Sequence, residues 1–133
     1  PYPIPGITLT ADNLVNSQSA TYTLSMVINY DIPYGGAIQV MVPTTYTLLT
    51  CTNDAVSGST LQDTGLVCNV VPGTGEVRVS GFPYFVAPAL IVLQVQLTNP
   101  ASPIVNPAAW QVGTYYTNDP ILQTTICLDT VTP

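Results

Sequence analysis

The chain has 133 residues, which fits one domain with its own hydrophobic core. Hydrophobic residues make up 47% of it but charged residues only 6%, where about 25% is usual for a soluble domain. With one Arg, no Lys, no His and a net charge of -6, the chain cannot neutralise a phosphate backbone. We therefore expect neither nucleic-acid binding nor attraction to an acidic membrane surface.

Membrane insertion is also not expected. The longest apolar stretch runs from Phe85 to Val95 and is interrupted by Pro88 and Gln94. A membrane-spanning helix needs about 20 consecutive apolar residues. The chain also lacks the basic segment of a signal peptide, so the sequence is interpreted as a mature or internal segment.

The first six residues alternate proline with other residues, in the order Pro1-Tyr2-Pro3-Ile4-Pro5-Gly6. Proline fixes φ and removes a backbone donor, so this pattern predicts an extended polyproline II conformation. We predict a Pro-rich linker over residues 1–6, one β-sandwich domain over 7–129 and a C-terminal linker over 130–133. Together the two linkers would join tandem copies semi-rigidly. A frayed chain end is the alternative.

From Ile7 onward the predicted elements are all strands. In the second of them Tyr22, Leu24, Met26 and Ile28 alternate with other residues, a period of two that predicts one buried face. Seven to nine short antiparallel strands, separated by Gly, Pro, Asn and Asp, predict an all-β, immunoglobulin-like Greek-key β-sandwich. The predicted strands begin at 7 and then cover 22–30, 38–42, 46–51, 66–70, 76–80, 90–97, 110–116 and 121–128.

Three cysteines are present. Cys51 and Cys68 flank a polar, Gly-containing segment, as two strands joined by a disulfide would, although two buried thiols fit the same pattern. Cys127 is then left as a buried thiol or the partner in an intermolecular bridge. No two cysteines are close in sequence and no His is present, so we expect no metal site.

Enzymatic activity is not expected, and neither is a cofactor. General acid–base catalysis needs a group that titrates near neutral pH, and His and Lys are both absent. The acids fall at predicted turns and strand edges, where Asp commonly caps its own backbone. A carboxylate-based hydrolase and a capsid or tail decoration protein are the weaker alternatives. The acids are Asp12, Asp31, Asp54, Asp63, Glu76, Asp119 and Asp129.

A surface made of Ser, Thr, Asn and Gln is poorly protected against association, so we expect sugars or neighbouring copies to cover it. None of the eight Asn lies in an N-x-[ST] sequon, so a glycan would be O-linked, on Ser, Thr or modified Pro. The candidate carriers are Pro1, Pro3, Pro5, Thr52, Ser57, Ser59 and Thr60.

Aromatic residues divide into two predicted groups. One is expected to pack in the core or at the end of a sheet, namely Tyr22, Tyr30, Trp110 and Tyr116. The other lies near turns or termini and is expected to contact neighbouring copies, namely Tyr2, Tyr34, Tyr46 and Tyr84. The full set of predicted linker and contact residues is Pro1, Tyr2, Pro3, Ile4, Pro5, Tyr34, Tyr84 and Pro133.

Several short segments resemble a known module. They are Tyr22-Thr23-Leu24, Ile32-Pro33-Tyr34-Gly35-Gly36-Ala37-Ile38, Val42-Pro43, Cys51, Cys68, Leu97-Thr98-Asn99-Pro100 and Val112-Gly113-Thr114-Tyr115. Over residues 7–128 the chain is similar to β-sandwich modules repeated in large secreted and surface proteins of ciliates and other protists. The resemblance implies an extracellular tandem repeat with a structural role and a Cys51–Cys68 bridge. It implies no ligand and no catalytic residue, and Cys127 has no counterpart in it.

These observations predict a structural subunit or tandem repeat unit of an extracellular filament or surface coat. The predicted partners are copies of the chain itself, assembled head to tail, and O-linked glycans. Assembly would proceed through the Pro-rich linker or through strand addition by residues 1–10 or 121–131. An adhesin-like module that recognises glycan or a partner protein through its loops is the alternative.

Overall fold

The computed structural model describes residues 4, 6–28, 32–52, 67–71, 74–82, 89–101, 109–116 and 125–133, with the side chains of 52, 89 and 125–127 excepted. These residues form nine strands. The strands are β1 (Thr8–Ala11), β2 (Ser19–Ile28), β3 (Ala37–Met41), β4 (Thr47–Thr52), β5 (Val67–Val71), β6 (Glu76–Ser80), β7 (Ala89–Thr98), β8 (Trp110–Tyr115) and β9 (Thr125–Val131).

The strands form two antiparallel sheets, with the order β1-β2-β7-β4 in one and β5-β6-β3-β8-β9 in the other. The chain changes sheet between β2 and β3, again between β3 and β4 and between β4 and β5, and on each side of β7, so sequential strands are often not neighbours. Among the described strands, only the hairpin β5–β6 and the pairs β1–β2 and β8–β9 join consecutive strands within one sheet. The predicted two-sheet β-sandwich is therefore confirmed.

Strand β2 shows why this sequence forms a sandwich. Its side chains alternate between buried and partly exposed along all ten residues, and Tyr22, Leu24 and Met26 are fully buried. Each of these lies opposite an apolar residue of β7 in the register Tyr22↔Val95, Leu24↔Leu93 and Met26↔Ile91. The predicted buried face of β2 is confirmed, and the hydrophobic core lies between this face and the second sheet.

Three aromatic rings form the core near the end of the sandwich where β2 begins. Tyr22 stacks on Trp110 with ring centroids 5.2 Å apart, and Tyr46 meets both rings edge-on at 5.7 Å. Tyr46 was expected to contact neighbouring copies. This prediction is wrong, because the ring packs against Trp110 and is 7% exposed. Tyr116, expected at a sheet end, follows β8 and is half exposed, whereas Tyr30 lies outside the described residues.

Both predicted domain boundaries differ from the structure. Strand β9 continues to Val131, where Thr130 pairs with Gln111 and Val131 with Trp110, so these two residues belong to the sheet. At the other end Ile4 is 2% exposed and packs in the core. The domain therefore includes residues on both sides of the expected range 7–129.

Candidate interaction surfaces

A sandwich of two open sheets has two flanks, and here each is closed in a different way. The first, which we call the disulfide flank, lies where edge strand β4 faces edge strand β5. Cys51 on β4 and Cys68 on β5 form a disulfide with their Cα atoms 5.9 Å apart. Because β4 and β5 are edge strands of different sheets, this bridge joins the two sheets covalently.

The second flank lies where β1 faces β9, and we call it the N-terminal flank. The backbone N–H of Ile4 donates to Oδ2 of Asp129 on β9, at 3.1 Å, while the Ile4 side chain enters the core. The other carboxylate oxygen of Asp129, Oδ1, accepts the N–H of Thr130 at 2.8 Å, which fixes the orientation of the carboxylate. Among the described residues, the Ile4 side chain and this hydrogen bond to a charged acceptor both help to close the flank.

Gly6 marks where the chain leaves the N-terminal flank and turns towards β1. Its φ is +61°, a region that costs glycine little and other residues more. A Cβ at this position would also lie 3.3 Å from Cγ2 of Val27. The turn thus needs a glycine for both conformational and steric reasons.

The loop of residues 12–18, which connects β1 to β2, presents two adjacent apolar side chains. Leu14 is 57% exposed and Val15 is 55% exposed. The loop itself is held firmly, because the side-chain amide of Asn99 donates to the carbonyl oxygens of Asn13 and Val15, both at 2.9 Å. Oδ1 of Asn13 accepts the N–H of Val15, and the N–H of Ser17 donates to the Pro100 carbonyl.

A buried polar contact connects this loop to the aromatic rings of the core. Asn99 is 3% exposed, and its Oδ1 accepts a 2.7 Å hydrogen bond from the Tyr22 hydroxyl. Burial, followed by the nearby Tyr46, raises the pKa of Tyr22 well above its ordinary range. The phenol therefore stays protonated and remains a donor to Asn99 at any ordinary pH.

Another exposed apolar side chain lies on the turn before β3. Tyr34 is 83% exposed, and its turn is closed by a 2.9 Å hydrogen bond from the Gly36 N–H to the Pro33 carbonyl. Gly35 has a φ of +78°, as the third residue of a type II turn requires, and its N–H donates to the Phe82 carbonyl. We call this element the Tyr34 turn.

The 12–18 loop and the Tyr34 turn lie at opposite ends of the sandwich. The loop immediately precedes β2, and the turn follows the end of β2 and precedes β3. At about 3.3 Å per residue, the ten residues of β2 separate the two by roughly 30 Å. Each end of the domain therefore presents exposed apolar side chains on a hydrogen-bonded backbone.

A shallow cleft of about 250 Å³ lies beside the disulfide flank. It contains hydroxyl and apolar side chains, and its aromatic component is Tyr46, which is 7% exposed. Among the described residues no carboxylate and no cation lines it. The lining residues are Thr44, Tyr46, Thr47, Leu48, Val70, Val71 and Gly75.

The described acidic side chains either accept hydrogen bonds from backbone N–H groups or form an ion pair. Oδ1 of Asp12 accepts the Thr21 N–H at 2.8 Å, and Glu76 pairs with Arg78 at 2.7 Å. Within the described ranges, no three His, Cys, Asp or Glu side chains lie together as metal ligands would. The same part of the chain contains no helix long and apolar enough to cross a membrane.

Few of the remaining predicted site residues lie within the described part of the chain. Thr52 ends β4, and Cys127 on β9 pairs with Thr114 on β8, but the side chains of Thr52 and Cys127 lie outside the described residues. Pro133 is partly exposed. The other predicted contact and glycan residues, Pro1, Tyr2, Pro3, Pro5, Ser57, Ser59, Thr60 and Tyr84, also lie outside the described residues.

Sequence reasoning missed the braced 12–18 loop. Asn99 comes directly before a proline at the end of a strand, and such a residue is usually interpreted as part of a turn. Its contacts with Asn13 and Val15 span more than 80 positions, so no local pattern could reveal them. Leu14 and Val15 fall in no periodic stretch, which leaves their exposure undetermined by sequence.

No family model matches the chain, and no curated protein matches it in sequence. Structural comparison does find solved structures with a similar fold. An uncharacterized protein from Nocardia farcinica with an immunoglobulin-like fold matches with a TM-score of 0.53 at 12% identity, over 90% of this chain and 80% of that one. The fold is immunoglobulin-like.

Two further solved structures match. One is the RrgA Jo.In complex, with a TM-score of 0.52 at 10% identity over 96% of this chain and 78% of that one. The other is a collagen-binding domain from a Staphylococcus aureus adhesin, with a TM-score of 0.48 at 11% identity over 96% of this chain and 97% of that one. The match to the Nocardia farcinica structure confirms the immunoglobulin-like fold predicted from the sequence, and the resemblance to protist repeat modules stays a prediction.

Proposed function

We propose that this domain is a structural subunit of an extracellular filament or surface coat and that its copies contact one another head to tail. The observation that carries the proposal is the pair of exposed apolar tips at opposite ends of the sandwich, Leu14 with Val15 and Tyr34. A contact between two different patches of the same molecule repeats without closing when the rotation between copies does not form a ring.

The rigidity of both tips supports a contact role. The 12–18 loop is braced by Asn99 and the Tyr34 turn by two backbone hydrogen bonds, so docking them costs little conformational entropy. Loops held in this way by a rigid scaffold commonly carry binding function. The bracing thus favours association over a merely solvent-exposed loop.

The charge distribution permits such a contact. The chain has one cationic side chain, Arg78, and it forms an ion pair with Glu76 on β6 rather than lying at either tip. Mixed surface charges normally keep domains apart, and this domain has few of them. Two copies could therefore approach end to end without burying an unpaired cation.

O-glycosylation and an extracellular location belong to the same proposal. Disulfides form and persist mainly in oxidising compartments, which supports secretion or cell-surface display. The outer face of the four-stranded sheet carries exposed hydroxyls at Thr8, Thr10 and Thr50, where O-linked sugars would have access. Covalent linkage in tandem, as in the protist modules that the sequence resembles, is the arrangement we favour.

Electron microscopy and sedimentation of the purified chain over a range of concentrations would test the head-to-tail contact. We expect filaments with an axial repeat of roughly 40 Å, about the length of a ten-residue strand with its loops. Substituting serine at both Leu14 and Val15, or at Tyr34, should abolish them. The matched control is Leu49→Ser, because Leu49 is 52% exposed but lies on β4 rather than at an end. A wild-type chain that stays monomeric at millimolar concentration would overturn the proposal.

The cleft beside the disulfide flank favours one second candidate, an adhesin-like module that binds a neutral glycan or a partner protein. Hydroxyl groups of Thr44 and Thr47 with the ring of Tyr46 offer hydrogen bonds and an apolar surface without charge. A monomeric chain that binds a neutral glycan array, and loses binding on Thr47→Val, would support this candidate over the filament.

A further inference from the structure

We propose that a groove on the outer face of the four-stranded sheet binds a neutral, hydroxyl-rich ligand about as large as one sugar ring. The groove has a volume of about 340 Å³, at the lower end of the range usual for small-molecule sites. Its polar lining comes from Asp12, Ser19, Thr21 and Gln96, and its apolar rim is Leu49. This site goes beyond the proposed function, because the head-to-tail contact uses neither Gln96 nor Leu49.

The register of the sheet places three of the polar side chains in one row. Thr21 on β2 lies opposite Gln96 on β7. Asp12 extends the row beyond β1, because its N–H donates to the Thr21 carbonyl at 3.2 Å while its Oδ1 accepts the Thr21 N–H at 2.8 Å. Asp12 and Gln96 are therefore two strand spacings apart, roughly 10 Å. One sugar ring between them can form a hydrogen bond with each.

Asp12 and Gln96 offer complementary hydrogen-bonding atoms to such a ligand. Oδ1 of Asp12 accepts the Thr21 N–H, and Oδ2 is left as an acceptor with no partner among the described residues. Oε1 of Gln96 accepts the Thr50 hydroxyl at 2.9 Å, which leaves Nε2 as a donor. One ligand hydroxyl can donate to Oδ2 of Asp12 and another can accept from Nε2 of Gln96.

The apolar rim of the groove exists because β4 contains a bulge. The register of β4 against β7 shifts between Leu48 and Thr50, so Leu49 is an extra residue, and it is 52% exposed. Strict alternation would place Leu48 and Cys51 on opposite faces of the sheet, whereas both pack against the core here. Because Cys51 is bonded to Cys68, the disulfide favours the bulge and with it the outward position of Leu49.

The chemistry of the lining selects a neutral sugar over other ligands. Among the described residues, one carboxylate and no cationic side chain line the groove. That carboxylate would repel an anion, and a calcium ion would need about six to eight oxygen ligands. A neutral sugar presents hydroxyl groups to Asp12, Ser19, Thr21 and Gln96 and an apolar C–H face to Leu49. Such a sugar can belong to a glycan O-linked to a neighbouring copy or to a separate glycan.

The test is a titration of the isotope-labelled full chain with the methyl glycosides of glucose, galactose, mannose and N-acetylglucosamine, followed by backbone amide chemical shifts. We expect saturable shifts at the groove residues with a Kd on the order of a few millimolar for at least one sugar. Tetrahydropyran, which is the ring of a sugar without its hydroxyls, should produce no saturable shift.

Variants assign the binding to the groove. Gln96→Leu removes the donor and should weaken binding about tenfold. Its matched control is Gln94→Leu, which changes the same residue type on the same face of β7 outside the groove and should leave the Kd unchanged. Asp12→Asn keeps an acceptor for the Thr21 N–H but replaces the free acceptor by a donor, so binding should weaken severalfold. Leu49→Ser should also weaken binding severalfold while leaving filaments intact.

The spectrum of each variant also reports whether it is folded, and several outcomes would overturn the site. These are no saturable shift with any of the four sugars, equal loss in Gln94→Leu and Gln96→Leu, equal binding of tetrahydropyran, and binding that Thr47→Val abolishes but Gln96→Leu does not. Tighter binding of a threonine-linked sugar than of the free glycoside would indicate a glycan of a neighbouring copy, and tighter binding of an oligosaccharide a separate glycan. A chain that binds sugar but forms no filaments would keep this site and remove the proposed function.

Discussion

The two flanks of this sandwich are closed by different kinds of interaction. The disulfide flank joins the two sheets through Cys51 and Cys68, so it stays closed even when the surrounding packing fluctuates. The N-terminal flank depends on Ile4 and a hydrogen bond to Asp129, and both interactions are reversible. One flank is therefore closed by a covalent bond, and the described contacts of the other are noncovalent.

The difference follows from local chemistry at the edges. Cys51 and Cys68 lie on edge strands that are close enough for a disulfide, and the Cα separation of 5.9 Å falls within the usual range. Pro3 and Pro5 have no backbone N–H, so neither residue can donate a hydrogen bond to a strand ladder. Edge strands attract pairing partners, and proline is one way in which natural proteins limit this.

Removing the disulfide should have the largest effect on stability. The bridge spans a sequence separation of 17 residues, and a double change of Cys51→Ala and Cys68→Ala should lower the free energy of unfolding by about 3 kcal/mol. Urea unfolding followed by tryptophan fluorescence would measure this. The wild-type chain under reducing conditions is the control and should lose a similar amount. A loss below about 1 kcal/mol would mean that packing alone closes this flank.

Opening the other flank should cost less and should stay local. Ile4→Ala removes a buried side chain and should destabilise the fold by about 2 kcal/mol. Hydrogen exchange should accelerate in β1 and β9 while β4 and β5 remain protected, because the disulfide flank stays closed. Leu14→Ala, at a site that is 57% exposed, is the matched control and should change stability by less than about 0.5 kcal/mol. Equal acceleration in all four edge strands would show that the flanks are not independent.

The sequence predicts much of the disulfide flank and little of the N-terminal flank. Cys51 and Cys68 flank a polar loop, and that local signal predicted the pairing seen in the structure. Strand periodicity likewise predicted the buried face of β2. Ile4, in contrast, lies in a Pro-rich segment whose local pattern indicates a linker. Its burial depends on contact with a core that residues much later in the chain complete, and no local pattern carries that information.

The order of the strands in each sheet and the hydrogen bonds that hold the 12–18 loop could likewise not be predicted from the sequence. Alternation identifies strands one at a time, but nothing in it places β7 rather than β3 beside β2. Tyr46 illustrates the same limit, because its position after a turn suggested exposure while edge-on packing against Trp110 buries it. Residues whose environment is set by contacts across the core are the ones for which local rules failed here.

The smallest expected effect concerns the end of the sandwich rather than either flank. Tyr22→Phe leaves Oδ1 of Asn99 without its hydroxyl donor and should destabilise the fold by about 1 kcal/mol, with faster hydrogen exchange in the 12–18 loop and both flanks unchanged.

The pH dependence of stability provides a second measurement of the role of Tyr22. Because the folded-state pKa of Tyr22 is raised, the native chain holds its proton where the unfolded chain releases it. The stability contributed by Tyr22 is therefore complete below the unfolded pKa of about 10 and is lost as the pH rises above it. The wild-type free energy of unfolding should fall between pH 10 and 11, and the Tyr22→Phe variant should fall less steeply. Tyr115, whose pKa burial also raises, should account for part of the remaining slope. Identical slopes in the two proteins would mean that the Tyr22 phenol is not protected by the core, and the bracing of the loop would then need another origin.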